Sequence, residues 1–338
     1  MGHTDFSPSL AQEALGARLE TPQRDAQRSH LSVVMPAFNE SHNIAATIAE
    51  LARFLVARVA SYEVLVVDDG SIDATAAAVV ALPSAWPVVL LQLSRNFGKE
   101  AAITAGLEHA QGDVVLCIDA DGQHPLATVD EMLRLWEQGH DMVYGVRNDR
   151  GTDSRFKRWG ARWFYRALGL GGQVTIPPDA GDFRVMDRRV VDAIRSMPEH
   201  NRFMKGLYAW VGFQSVGVPY VPAPRHNGAS HYSRTKLLRL AWSGITGFSS
   251  LPLRAASVVG LGLALLAFGY GVWVIVETML FDGTVPGWPT IVASIMFFSG
   301  VQLLFIGVLG EYLARVFDEV KRRPNYIVAR ILRRARPG

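Results

Sequence analysis

Two uncharged, apolar stretches, residues 255–276 and 289–310, constrain this 338-residue chain more than any other feature. Each is 22 residues long. As a helix rising 1.5 Å per residue, each reaches about 33 Å, enough to cross a hydrocarbon core of about 30 Å. A helix buried in a soluble protein is the other structure with this composition, but two unbroken spans in succession favour the bilayer. The link 277–288 carries two acids and no Lys or Arg, whereas Arg254 precedes the first span and Arg315, Lys321, Arg322 and Arg323 follow the second. Basic flanks stay on the cytoplasmic side. The link is therefore predicted to lie outside, with both termini and residues 311–338 in the cytoplasm beneath an inner membrane. Trp273 and Trp288 fall near the outer ends, where indoles anchor at the interface; packing between helices is the alternative for Trp273.

Upstream of the first span, residues 233–254 read as an amphipathic juxtamembrane segment. Leu237, Leu238, Ala241, Trp242, Ile245 and Phe248 recur at helical spacing, with Arg234, Lys236 and Arg239 among them. An ordinary amphipathic helix on a soluble core has the same pattern. Residues 1–29 lack the apolar core of a signal peptide and read as a polar, loosely ordered tail. Residues 1–150 hold 10 Lys/Arg against 20 Asp/Glu, and residues 151–338 hold 24 against 11. That asymmetry suggests an acidic half suited to a cation and a basic half facing something anionic. The basic half contains no nucleic-acid recognition motif, so a membrane surface fits it better. Cys117, the single cysteine, excludes an intramolecular disulfide and, set in an apolar run, reads as a buried structural thiol.

Residues 30–232 form the cytoplasmic domain. Short β-branched runs at 31–36, 63–67, 88–93, 114–118 and 142–144 alternate with helical patterns at 44–59, 74–82, 100–110 and 125–138. Strand–helix alternation predicts an α/β fold, a mostly parallel sheet flanked by helices on both faces. Ligands bind such sheets beyond the carboxyl ends of the strands. Polar residues gather at those ends: Asn39 and Glu40, Asp68 and Asp69, Arg95 and Asn96, Asp119 and Asp121, and Arg147. Any one of them also suits a turn or a helix cap; five sets together describe one crevice.

Asp119-Ala-Asp121 is the sharpest of these. Two carboxylates leaving one strand two residues apart are hard donors for Mg²⁺ or Mn²⁺, with Gln123 as a neutral oxygen nearby. In isolation Asp-x-Asp is mostly structural. No Gly-rich lysine loop of the ATPase kind is present.

Taken in order, several motifs resemble family-2 glycosyltransferases. They are Pro36-x-x-Asn39-Glu40, Asp68-Asp69-Gly70-Ser71-x-Asp73-x-Thr75, Arg95-Asn96-x-Gly98-Lys99 and Asp119-Ala-Asp121-Gly-Gln123-His124-Pro125. Gly181-Asp182-Phe183-Arg184, Lys205-Gly206-Leu207, Arg225-x-x-Gly228-x-Ser230 and Gly310-Glu311-Tyr312 continue the series, so the resemblance runs from about residue 30 to 328. More narrowly, the chain is similar to polyprenyl-phosphate glycosyltransferases of the dolichyl-phosphate-mannose-synthase type, in the bacterial branch with two C-terminal transmembrane helices.

The resemblance implies a GT-A fold and an inverting transfer from a nucleotide-diphosphate sugar to polyprenyl (undecaprenyl) phosphate with one divalent metal. A UDP-sugar such as UDP-glucose stands first and GDP second, while the residues themselves are compatible with several sugars. It implies that Pro36, Phe38, Glu40, Val67, Asp69, Lys99, Ala120, Arg225 and His231 meet the nucleotide-sugar. Phe38 stands where relatives often have Tyr, and His231 where they usually have Lys. Asp119, Asp121 and Gln123 would place Mg²⁺ or Mn²⁺ on the diphosphate, and Arg147 would take the acceptor phosphate with the run Arg155, Lys157 and Arg158. That run also reads as a solvated or headgroup-facing surface. Asp182 would orient acceptor or sugar, or else cap the helix that follows. Arg184 reads as a partner for a neighbouring carboxylate. A homo-oligomer, a tetramer by analogy, is expected. A processive polysaccharide synthase is disfavoured because Arg155, not Gln, precedes Arg158-Trp159 and only two spans exist. A non-catalytic membrane scaffold is disfavoured by the intact acids.

Overall fold

The computed structural model describes residues 24–148, 177, 180–199, 202–223, 251–281 and 287–333. Arg155, Lys157, Arg158, Arg225, His231 and segment 233–250 lie outside the described residues.

The apolar runs form strands because both of their faces are covered. β1 (His30–Ala37) buries Val33, Val34 and Met35 completely. Alternate side chains serve opposite layers, Val33 and Met35 one core and Val34 the other. β1 pairs in parallel with β2 (Ser61–Asp68) and β4 (Val114–Cys117), and β2 in parallel with β3 (Val88–Leu93). One layer holds α1 (Ile44–Arg58), α2 (Thr75–Val80) and α4 (Leu126–Glu137), each laying an apolar stripe on the sheet; for α1 it is Ile44, Ile48, Leu51 and Leu55. The other layer holds α3 (Lys99–His109), α5 (Arg188–Ser196) and α6 (Met204–Trp210). The predicted α/β sandwich is present.

Three further strands enlarge the sheet to eight. β5 (Met142–Arg147) lies beside β6 (Ala180–Asp187), which runs antiparallel to both β5 and β4; β7 (Ser215–Tyr220) forms an edge parallel to β5. β8 (Val328–Arg333) closes the far edge antiparallel to β3 and completes the order β7-β5-β6-β4-β1-β2-β3-β8. The stretch expected to be only a basic C-terminal segment thus returns into the sheet.

The tail reading does not hold for residues 24–29. They make a 3₁₀ turn (Ala26–Arg28) packed on the domain, with Ala26 fully buried. The Arg24 guanidinium, 6% exposed, meets Asp141 at 2.6 Å and Asp187 at 3.0 Å and donates to the His140 carbonyl at 2.8 Å. A planar fork satisfied on several acceptors tolerates burial, and hydropathy gives no sign of it. Cys117 is buried as expected, and burial pushes its thiol up to about 12.

Two long helices follow, α7 (Leu251–Phe281) and α8 (Trp288–Lys321). Their apolar parts, Ala256–Val274 and Ala293–Lys321, have a mean hydropathy of 1.9, are long enough to cross a bilayer, and are not buried within the chain. They touch where Gly260 faces the Phe305 ring: an added Cβ would stand 3.2 Å from it. Helix α8 stops at Arg322, which is left-handed (φ 47°), two residues before Pro324.

Candidate active site at the strand ends

The loops leaving β1 and β2 are stapled together. Asn39 adopts φ 56°, tolerable for Asn, and its Oδ1 accepts the Ile72 N–H at 3.0 Å. The Asn39 N–H donates to Ser71 Oγ and the Glu40 N–H to Thr75 Oγ1. Asp68 Oδ1 accepts the Ser71 N–H at 3.0 Å. The Asp69 carboxylate accepts the Phe97 N–H at 2.7 Å and the Gly98 N–H at 2.9 Å, tying the β3 loop to the β2 loop. Burial pushes the Asp69 carboxyl up, against the pull of those two amides. Gly70, between them, has φ 67°, and a Cβ there would lie 2.6 Å from the Asn96 nitrogen. Each Asp69 oxygen thus carries one backbone N–H and keeps a further lone pair.

The remaining nucleoside candidates divide by exposure. Phe38 is 44% exposed at the end of β1, and Pro36 and Glu40 are partly exposed. The Val67 side chain is wholly buried against Leu91 and Leu93, so only its backbone faces the strand-end loops. Ala120 is buried too, its carbonyl accepting the Thr47 hydroxyl from α1 at 3.1 Å.

Lys99, the first residue of α3, joins the centre. Its ammonium lies 2.7 Å from Asp119 Oδ1 and 3.0 Å from Asp182 Oδ2. Asp119 follows β4 and Asp182 lies in β6, so the antiparallel insertion of β6 brings them together. Burial disfavours charge on Asp119, yet Lys99 and then His124 hold its carboxyl well below the usual range. Burial likewise opposes the Lys99 charge, and Asp182 and Asp119 overcome it, pushing Lys99 up. The Asp182 Oδ1 atom is buried without a hydrogen-bond partner. The cap of α5 is Asp187, which accepts the Arg189 N–H, so Asp182 has no capping role. Arg184 meets no carboxylate among the described residues: it is buried with its guanidinium 3.4 Å over the Tyr208 ring and donates to the Gly181 carbonyl.

Asp121 Oδ1 accepts the Gln123 N–H at 3.1 Å, and the Gln123 carbonyl takes the Ala223 N–H at 3.0 Å. Asp119 and Asp121 fit a divalent ion by donor chemistry: hard carboxylate oxygens at one strand end, Asp119 held ionised and 34% exposed. Among the described residues no three His, Cys, Asp or Glu side chains converge as a metal cage. Phosphate oxygens and water complete such an ion's shell in nucleotide sites. Arg147 ends β5, exposed, beside its β7 partner Tyr220. Tyr220 is within electrostatic reach of Arg147, Asp119, Asp121 and Lys99, which puts Arg147 at the same crevice. Sequence reasoning gave no role to His124, although it directly follows the acidic motif. An open cavity of about 540 Å³, lined by Glu108, His109, Arg188, Asp192, Arg195 and Arg333, lies at the opposite ends of the strands. Its Arg188 is engaged by the Ala110 and Gly112 carbonyls, and Arg195 by Asp192.

The model of glycosyl transferase family 2 matches residues 32–195. A SfII prophage-derived bactoprenol glucosyl transferase of Shigella flexneri is 44% identical over 299 residues, covering 88% of this chain and 97% of that protein. A prophage bactoprenol glucosyl transferase homolog of Escherichia coli K12 is 43% identical over 302 residues, covering 89% and 99%. Among solved structures, glucosyl-3-phosphoglycerate synthase from Mycobacterium tuberculosis matches with a TM-score of 0.43 at 21% identity, covering 72% of this chain and 83% of its own.

Proposed function

The chain belongs to glycosyl transferase family 2, in the branch of the bactoprenol glucosyl transferases, and from that premise we propose that it moves a sugar from a nucleotide-diphosphate sugar, UDP-glucose first, to undecaprenyl phosphate at the cytoplasmic face of the membrane. The products are the polyprenyl-phosphate sugar and the nucleoside diphosphate, with inversion at the anomeric carbon. The observation that carries this reading is the Asp119–Lys99–Asp182 cluster at the strand ends, in a chain with two helices of bilayer length.

The residues have distinct tasks in this reading. An acceptor phosphate oxygen is already anionic near neutral pH, so its attack needs alignment rather than a strong base. Arg147 holds that phosphate, and a guanidinium suits two of its oxygens at once. Asp182 offers a buried oxygen with no protein partner, an acceptor for a hydroxyl of the sugar. Lys99 keeps Asp119 charged and faces the negative charge that grows on the departing diphosphate. Asp119, Asp121 and Gln123 hold Mg²⁺ or Mn²⁺, which when bound neutralises that leaving charge. Helices α7 and α8 span the membrane and keep the crevice in the plane where a polyprenyl phosphate presents its headgroup.

The test is a purified full-length preparation in detergent given Mg²⁺, undecaprenyl phosphate and separate UDP-glucose, UDP-N-acetylglucosamine and GDP-mannose. Metal-dependent appearance of a lipid-linked glucose from UDP-glucose supports the assignment. Nucleotide-sugar binding without lipid product from any donor removes it.

A further inference from the structure

His124 stands directly beyond the acidic motif in a setting that the proposed chemistry leaves unexplained. Its side chain is 9% exposed. The imidazole stacks on Phe183 with centroids 4.2 Å apart and 27° between planes. Tyr220 lies 5.5 Å away, and Phe183 and Tyr220 meet edge to face at 5.4 Å. Strand β5 closes this column: a Cβ on Gly145 would stand 2.7 Å from the Phe183 ring and 2.9 Å from the Tyr220 ring. A residue with no side chain is what lets both rings sit against the strand and press on the imidazole.

The two ring nitrogens differ. Nε2 faces Asp119 Oδ2 at 3.6 Å, an electrostatic contact rather than a hydrogen bond. Nδ1 is buried with no partner. Those neighbours assign the proton to Nε2, because a bare lone pair directed at a carboxylate is repelled and an N–H directed at it is attracted. Asp119 is thereby gripped from both sides, Lys99 on Oδ1 and the His124 N–H toward Oδ2.

We propose that His124 is a positioning residue for Asp119: the aromatic column fixes its ring, and its Nε2–H fixes the carboxylate orientation from which Asp119 meets a divalent cation. This rests on the reading that Asp119 and Asp121 hold such a cation. Outer partners of metal-ligating groups typically change metal affinity by about 10- to 100-fold when removed, and His124 belongs among them.

The experiment titrates Mn²⁺ alone, and Mn²⁺ with UDP, into full-length protein in detergent, reading free Mn²⁺ by electron paramagnetic resonance. His124→Phe keeps a stacked ring and deletes the N–H; it is expected to weaken Mn²⁺ binding about 10-fold or more. His124→Gln restores a donor near the Nε2 position and should recover most of the loss. Gly145→Ala, whose Cβ meets the Phe183 and Tyr220 rings, should weaken Mn²⁺ binding by displacing them. If His124→Phe does not fold, His124→Met compared with His124→Gln makes the same contrast. Wild-type affinity in the variant lacking the N–H, or equal losses with and without a restored donor, overturns the assignment and leaves His124 as packing. A wild-type protein that takes up no Mn²⁺ in either titration overturns the metal reading, and the His124 assignment with it.

Discussion

Asp121 leaves the same strand as Asp119, and its Oδ1 accepts the Gln123 N–H. Asp121→Asn removes the charge while keeping the side chain's shape and that acceptor oxygen. It should leave the melting temperature within a few degrees of wild type while lowering turnover at least about 100-fold, the usual scale for one lost electrostatic stabiliser. Undiminished product from the purified variant defeats the metal role. Arg147→Ala addresses the other substrate: KM for polyprenyl phosphate should rise about 10-fold or more with KM for the nucleotide-sugar nearly unchanged, since a charged hydrogen bond is worth about 1.5–3 kcal/mol. Equal rises in both move Arg147 off the acceptor. Glu100 carries a pH signature. Burial first, then the nearby Asp182, push its carboxyl up to about 7, while the Met204 N–H it accepts pulls the other way. A carboxyl whose folded pKa exceeds its unfolded value binds its proton more tightly when folded, so its contribution is full below about pH 4.5 and is lost as pH rises through 7. Glu100→Gln keeps the acceptor and cannot ionise. Its melting temperature should match wild type near pH 5 and exceed it near pH 8, by on the order of 1–3 kcal/mol in stability. A difference independent of pH rules this out.

The elements differ in how openly the chain announces them. Strands β1 to β5 are legible because parallel strands covered on both faces need unbroken apolar runs, as in Val33-Val34-Met35 and Val64-Leu65-Val66-Val67. Strand β6 reads Ala-Gly-Asp-Phe-Arg-Val-Met-Asp, its first half bearing site chemistry that masks the strand pattern. Strand β7 contains Pro219, which an edge position tolerates and which argues against a strand when read alone. Strand β8 lies in a basic stretch where Arg330 and Arg333 disguise Val328 and Ile331. For the same reason the crevice was legible as a list of acids but not as a geometry: the Lys99–Asp182 contact depends on β6 running antiparallel beside β4. The loop junction is the element most open to disruption. Gly70→Ala forces a Cβ into the Arg95–Asn96 backbone at positive φ, so the β3 loop must shift away from Asp69. Loss of stability of about 2 kcal/mol or more is expected, together with weakened UDP binding by calorimetry. Wild-type values for both show that the loop junction has slack that the close approach denies.

Two connections join the sheet to the long helices, and they are unequal. From β7 the chain runs through residues 221–250 to α7, whereas six residues, 322–327, separate α8 from β8. The short one reaches at most about 20 Å fully extended, and it is pinned: the Ile327 carbonyl accepts the Ser94 N–H at 2.9 Å and Tyr326 donates its hydroxyl to Glu108. Because β8 is antiparallel to β3, this connection enters at the carboxyl end of β3, the edge of the sheet that carries the crevice. The end of α8 is thus tied to the sheet at the strand ends that carry the crevice, by a connection that begins with Arg322 and Arg323. If Arg147 takes the phosphate of an acceptor whose headgroup lies at a membrane surface, that tether sets the effective concentration it meets. Inserting twelve Gly/Ser residues between Arg323 and Pro324 triples the connection. With effective concentration falling as about the −3/2 power of length, up to about fivefold is lost in kcat/KM for undecaprenyl phosphate in vesicles. A short-chain, water-soluble polyprenyl phosphate reaches the site from bulk and should be used at the wild-type rate by the same variant. If both acceptors lose equally, the connection acts on the crevice itself through Ser94 and the loop that follows; if neither changes, the longer connection to α7 suffices to present the lipid.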